Sequence, residues 1–165
     1  MLPEVNTILY ASDMGQNMRP AFRFAVSLAI KYHSKIVMIH ALEPMGSTSR
    51  AMMENYLDAD QRRRLQQEGY EYVRQDMKKR LADFFEDERA AIAGESGSPE
   101  VEVVVVTGQP AQVIVEEAQK RDAGLIVMGV HTDHSFGHKL MGSTTRKVIH
   151  NSSIPVMVVP VSPGG

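Results

Sequence analysis

The chain has 165 residues, 43% hydrophobic and 23% charged, with a formal net charge of −2, the length and make-up of one ordinary globular domain. A domain near this size buries roughly 70% of the surface its unfolded chain exposes, so a substantial core is available. The absence of cysteine excludes disulfides, thiolate catalysis and cysteine-based zinc sites, and a nearly neutral charge offers no basic field to nucleic acid or an anionic membrane. The first residues, MLPEVNTILYASD, put acidic and polar side chains early and no basic stretch ahead of an apolar one, so they do not read as a signal peptide. No apolar run approaches the ~18 residues that suggest a membrane span. The expectation is a cytoplasmic protein with neither nucleic acid nor membrane as partner.

In chain order, Thr7 to Ala11 is a short run rich in β-formers, ended by Asp13-Met14-Gly15, which predicts a buried strand and a turn. Ala21, Ala25, Leu28 and Tyr32 then recur at helical spacing, widened by Phe22, Val26 and Ala29, with Arg23, Ser27 and Lys31 opposite. Asn17 suits the N-cap and Pro20 the first turn. Ile36 to Leu42 is a second strand, closed by Glu43-Pro44-Met45-Gly46. From about Tyr56 to Glu88 a long helix keeps Leu65, Gly69, Tyr72, Val73, Met77, Leu81 and Phe84 on one face. A Gly/Ser/Pro loop follows, from Gly94 to Pro99.

Val101 to Val106 is the third strand, and Gly108-Gln109-Pro110 turns into a helix reaching Lys120, with Val113, Ile114 and Ala118 inward. Leu125 to Met128 is so apolar that burial on both faces is expected, with the strand ending at Gly129. A loop from Val130 to Met141 leads to a helix opened by Gly142-Ser143 and reaching Asn151. Ser153-Ile154-Pro155 then turns into a last strand, Val156 to Val159. Such alternation predicts an α/β fold, one parallel sheet covered by helices, with right-handed crossovers.

In open α/β sheets, ligands bind at the carboxyl ends of the strands where the strand order reverses. Asp13 and Gly15, Glu43-Pro44, and Gly129 all fall at strand ends. If the first and fourth strands are neighbours, Asp13 and Gly129 face each other across a crevice. Gly142-Ser143-Thr144-Thr145 opens a helix, where free N–H groups and the dipole favour an anion. Taken alone it reads first as an ordinary helix start capped by Ser143, and its pairing with Gly129 on the same side of the sheet is what points to a nucleotide. His131, His134 and His138 stand at spacings of three and four, but no H-E-x-x-H carboxylate accompanies them, so with Lys139 they read as a charged rim and not a metal site. His40 reads as a core histidine with a hydrogen-bonded ring. Arg62-Arg63-Arg64 and Lys78-Lys79-Arg80 read as a solvated helix face. Adjacent Glu116 and Glu117 point apart and form no dyad. There is no Walker A motif and no identifiable Ser-His-Asp order.

Residues 124 to 160, GLIVMGVHTDHSFGHKLMGSTTRKVIHNSSIPVMVVP, resemble the carboxyl half of the universal stress protein family. The family's nucleotide-binding branch carries Gly-x2-Gly-x9-Gly-Ser/Thr. Gly129 matches the first glycine, and Gly142 with Ser143 the last pair. Thr132 stands at the middle glycine, where a Cβ restricts φ and the approach of a phosphate while the hydroxyl offers a donor. TILYASDMG, IVMIHALEP and Gly108-Gln109-Pro110-Ala111 resemble the family's other landmarks.

The resemblance implies a single domain over 1–165 with a variable insertion at about 46–100. It implies a five-stranded parallel sheet with helices on both faces, flavodoxin-like and of the adenine-nucleotide alpha-hydrolase type. It also implies ATP, AMP or ADP as ligand, with or without magnesium. Asp13 and Gly129 would meet the ribose, the Ala41 backbone the adenine edge, and Gly142, Ser143 and Thr144 the phosphates, with His131 and Thr132 beside them. The implied protein is a homodimer joined through Val156 to Val159, a stress-response sensor signalling through a protein partner. The alternatives are a slow ATPase or an enzyme that phosphorylates itself on Ser143 or Thr144, and a dimeric adaptor without nucleotide, which Thr132 would explain. Neither a catalytic residue nor a metal ligand is assigned.

Overall fold

The computed structural model describes residues 1–15, 18–44, 46, 55–94, 97–131 and 141–161, with the backbone alone at Leu65 and His131. The strands are β1 (Thr7–Ala11), β2 (Lys35–Leu42), β3 (Val101–Thr107), β4 (Leu125–His131) and β5 (Val156–Val161). The helices described are α1 (Met18–Tyr32), α2 (Ala59–Ile92), α3 (Pro110–Lys120) and α4 (Ser143–Asn151). All strand pairs are parallel, in the order β3-β2-β1-β4-β5. The chain builds outward from β1 to β3, then crosses back to lay β4 on the other side of β1. The order therefore reverses between β1 and β4, which pair from Ile8↔Leu125 to Ala11↔Met128. The expected five-stranded parallel sheet with helices on both faces is the fold observed.

Strand alternation sorts the core into two layers. Ile8 and Tyr10 of β1 and Met38 of β2 face α1 and α2, where Phe22 and Leu81 are fully buried. Leu9 and Ile39 face α3 and α4, against Ile114 and Val148. In α1, Ala21, Ala25 and Ala29 are buried at intervals of one turn, and their small side chains bring the helix close to the sheet. Tyr32 was expected on this stripe but is exposed. The chain leaves the helix directly after it, through a left-handed His33 (φ 56°), so Tyr32 has no strand beneath it. The expected N-cap, Asn17, lies outside the described residues.

The long helix starts at Ala59 and not at Tyr56, because Asp58 forms a capping box. Its Oδ1 accepts from the Gln61 amide at 2.8 Å, and the Gln61 side chain accepts from the Asp58 amide at 3.3 Å. With 34 residues, α2 is ~51 Å long at 1.5 Å per residue. The eight residues of β2 span only ~26 Å. The helix therefore outruns the sheet. Met77, Leu81, Phe84, Phe85 and Ile92 of its second half pack on the core. Tyr72, 75% exposed, and Val73 do not, contrary to expectation, since the sheet has ended beneath them. The overhang carries an ion pair of its own, Glu71 with Arg74 at 2.8 Å, and Asp76 with Arg80 at 2.9 Å follows on the outer face of the packed half. Farther along α2, Glu88 is buried and meets Arg19 at 3.0 Å and Arg23 at 2.7 Å, tying α2 to α1.

Four strands differ in their limits from those expected. β2 begins one residue early, at Lys35. β3 takes in Thr107. β4 continues through Gly129 to His131, and β5 through Pro160 to Val161. The extensions of β4 and β5 hold each other: Val130 pairs with Pro160 and His131 with Val161. Pro160 is tolerated because β5 is an edge strand, where a missing N–H need break no ladder bond.

Candidate functional site

A hollow of about 620 Å³ opens at the carboxyl ends of β1, β2 and β4, against the start of α4. That volume is ordinary for a small-molecule site. Asp13, Ala41, Gly129, Gly142, Ser143 and Thr144 all line it, so the reversal between β1 and β4 does bring Asp13 and Gly129 to one crevice. His131 is the last residue of β4. Thr132, His134, His138 and Lys139 lie outside the described residues. Among the described residues no group of three or more His, Asp or Glu stands ready to hold a metal ion.

The mouth of the hollow is built on Ser12. Its amide donates to the Ile39 carbonyl at 2.8 Å, and its carbonyl accepts from His40 Nδ1 at 2.9 Å, which stitches the end of β1 to β2. Since a carbonyl can only accept, Nδ1 is the donor of this bond. His40 thus has the bonded ring expected of it, but it is half-buried and lines the hollow instead of lying within the core. The chain next turns through Met14 in the left-handed region (φ 59°), with the Met14 amide on Ser12 Oγ at 3.1 Å and the Gly15 amide on Asp13 Oδ1 at 2.8 Å. Asp13 is therefore oriented by the turn that follows it, with its carboxylate at the exposed rim.

Beneath this rim Tyr10 lies nearly buried, its hydroxyl donating to the Met18 carbonyl at 3.1 Å. Burial, and then the charge of Asp13, push its phenol well above the ordinary range, against a smaller opposing effect of the Ser12 hydrogen bond. Tyr10 is a neutral floor for the site and no base.

At the opposite wall Gly142 is the N-cap (φ −58°, ψ 155°) and Ser143 the first helical residue, so Ser143 is not the cap. Gly142 has no side chain to occupy the first amides of α4. The helix ladder begins with Arg146 donating to the Gly142 carbonyl at 3.2 Å, and amides ahead of that point have no acceptor within the helix. Among the described residues a Cβ at Gly142 would meet nothing within 4 Å, whereas one at Gly129 would stand 3.2 Å from Val161 Cγ2 and 3.4 Å from Ala21 Cβ. Gly129 is thus held by packing of the floor, and Gly142 leaves the helix start open to the hollow.

Several lining residues were not singled out from the sequence as site residues: Tyr10, Met18, Met77, Met128 and Val161. Glu43, expected near the site as part of a strand end, lines it, and so does Pro110, noted only as a turn residue. Strand alternation sets Tyr10 with Ile8, but nothing local in α2 indicates that Met77 reaches the ends of the strands.

The model of the universal stress protein family matches residues 4–160. The chain belongs to the universal stress protein family. A universal stress protein of Thermus aquaticus is 28% identical over 153 residues, covering 93% of this chain and 97% of that protein. Universal stress protein A of Salmonella typhimurium is 29% identical over 154 residues, 93% of each. Among solved structures, a universal stress protein in complex with cAMP superimposes with a TM-score of 0.56 at 19% identity, covering 95% of this chain and 98% of that one. A universal stress protein of Archaeoglobus fulgidus in complex with dAMP gives 0.53 at 18%, covering 97% and 99%. No helix among the described residues is long and apolar enough to cross a membrane.

Proposed function

We propose that the hollow binds an adenine nucleotide, AMP, ADP or ATP, and that the protein acts as a dimeric stress-response sensor that signals through a protein partner. The observation that carries the reading is convergence. Residues from four separate segments, Asp13, Ala41, Gly129 and Gly142 to Thr144, line one crevice at the point where the strand order reverses. Two structural relatives solved in complex with adenine nucleotides lend it support.

The chemistry divides along the crevice. Ile39, Ile114 and Met128 offer apolar surface to a base beside the backbone of Ala41. The Asp13 carboxylate accepts from ribose hydroxyls, or meets a magnesium ion carried by the phosphates. The first turn of α4, with Ser143 and Thr144, takes the phosphates. The dimer forms through β5, whose outer edge is apolar and short.

Calorimetric titration with AMP and ATP tests this. Ser143→Glu should weaken ATP binding by at least ~10-fold, about 1.4 kcal/mol. A carboxylate in the first helical turn suits the dipole, so the fold should hold while the phosphates are repelled. Wild-type protein with nucleotide at 100 times the dissociation constant should gain about 2.7 kcal/mol of stability. No heat and no thermal shift at millimolar nucleotide would reject the proposal.

A further inference from the structure

A second hollow of about 490 Å³ adjoins the first and runs between α3 and α4. The two share Glu43, Pro110, Ser143 and Thr144 as a common wall. They therefore meet where the phosphates of a nucleotide would lie, and a ligand running past that point enters the annex. The polar lining of the annex has a definite character: carboxylates at Glu43 and Glu116, carboxamides at Gln109, Gln112 and Asn151, and one ammonium at Lys147. Gln112 donates to Glu116 Oε1 at 2.8 Å, which steadies that carboxylate on the annex wall.

Two carboxylates against one ammonium disfavour further phosphate groups. Carboxylates and carboxamides are, however, the acceptors and paired donors that hydroxyl groups require. Resting on the adenine-nucleotide reading of the first hollow, we infer that the ligand is an adenosine diphosphate esterified to a hydroxyl-rich group, a ribose or a hexose, and that this sugar occupies the annex. Base and first ribose fill the crevice, the diphosphate crosses the start of α4, and the terminal sugar lies against Gln112 and Glu116.

Calorimetry with ADP, ADP-ribose and ADP-glucose on the full chain tests the inference. At least one sugar nucleotide should bind ten times or more tighter than ADP. The double variant Gln112→Ala with Glu116→Ala, both positions on the exposed face of α3, should abolish that advantage and leave ADP affinity within twofold. If ADP binds and neither sugar nucleotide exceeds it, or if the advantage survives the double variant, the annex assignment falls and the reading of the crevice stands. If neither ADP nor a sugar nucleotide binds, both fall.

Discussion

Glu88 places a carboxylate under α1, 2% exposed, while the two arginines that meet it remain 63% and 52% exposed. Removing one side or the other of this cluster has unequal consequences. Glu88→Ala releases two guanidinium groups that water already solvates, so the loss is mainly packing and hydrogen bonds, about 1–2 kcal/mol. Arg19→Ala with Arg23→Ala leaves a charge buried without its partners, at a cost of about 3–5 kcal/mol. Urea unfolding should rank the double arginine variant below Glu88→Ala, and the opposite rank would show that charge is not what the cluster contributes. The pairing was not legible beforehand, because Arg23 reads as an outward position and its partner is 65 residues away. Asp13 and Gly142 were legible, because one follows a strand and the other opens a helix, and local signals locate such ends; Gly129 was singled out by the same kind of signal although β4 runs on past it to His131. Met77 was not, because its role depends on where α2 crosses the sheet.

At the level of the elements, α2 divides in two. Its second half carries Leu81 and the aromatic contact of Phe84 with Phe22, centroids 5.3 Å apart. Its first half is held by the cap at Asp58 and by the surface ion pair of Glu71 with Arg74, worth a few tenths of a kcal/mol. Asp58→Ala should therefore cost about 1 kcal/mol locally. Hydrogen exchange should show lost protection over residues 59–70, with the global unfolding free energy unmoved within ~0.5 kcal/mol. A global loss equal to the whole cap energy would mean that the overhang unfolds with the core. The helical stripe was readable from its period, but the period does not reveal where the surface beneath it stops. For the same reason β4 and β5 were expected to be shorter than they are. Glycine and proline read locally as stops, whereas each strand is continued by its partner's backbone.

For the molecule as a whole, the edge formed by β5 sets the terms of the proposed dimer. The Pro155 carbonyl accepts from the Ile126 amide at 2.9 Å. In a strand, successive residues turn their peptide groups to opposite sides, so 157, 159 and 161 face β4 and 156, 158 and 160 face outward. The hydrogen that Pro160 lacks is therefore missing from the outer edge. Two copies paired antiparallel about Val158 would set residue 156 against 160 and leave the Val156 carbonyl of each without a donor. Paired about Met157, they set 156 against 158 and satisfy all four groups. Met157 then faces its own copy with Cα atoms about 4.5 Å apart, within reach of a disulfide. In a chain without other cysteines, Met157→Cys should cross-link the dimer on oxidation and Val159→Cys should not. Sedimentation of the unmodified protein as a monomer at tens of micromolar would remove the dimer altogether. Proline at 160 also acts as a terminator: the outer rail offers two amide donors and then none, enough to register one partner and too little to template a growing stack of strands.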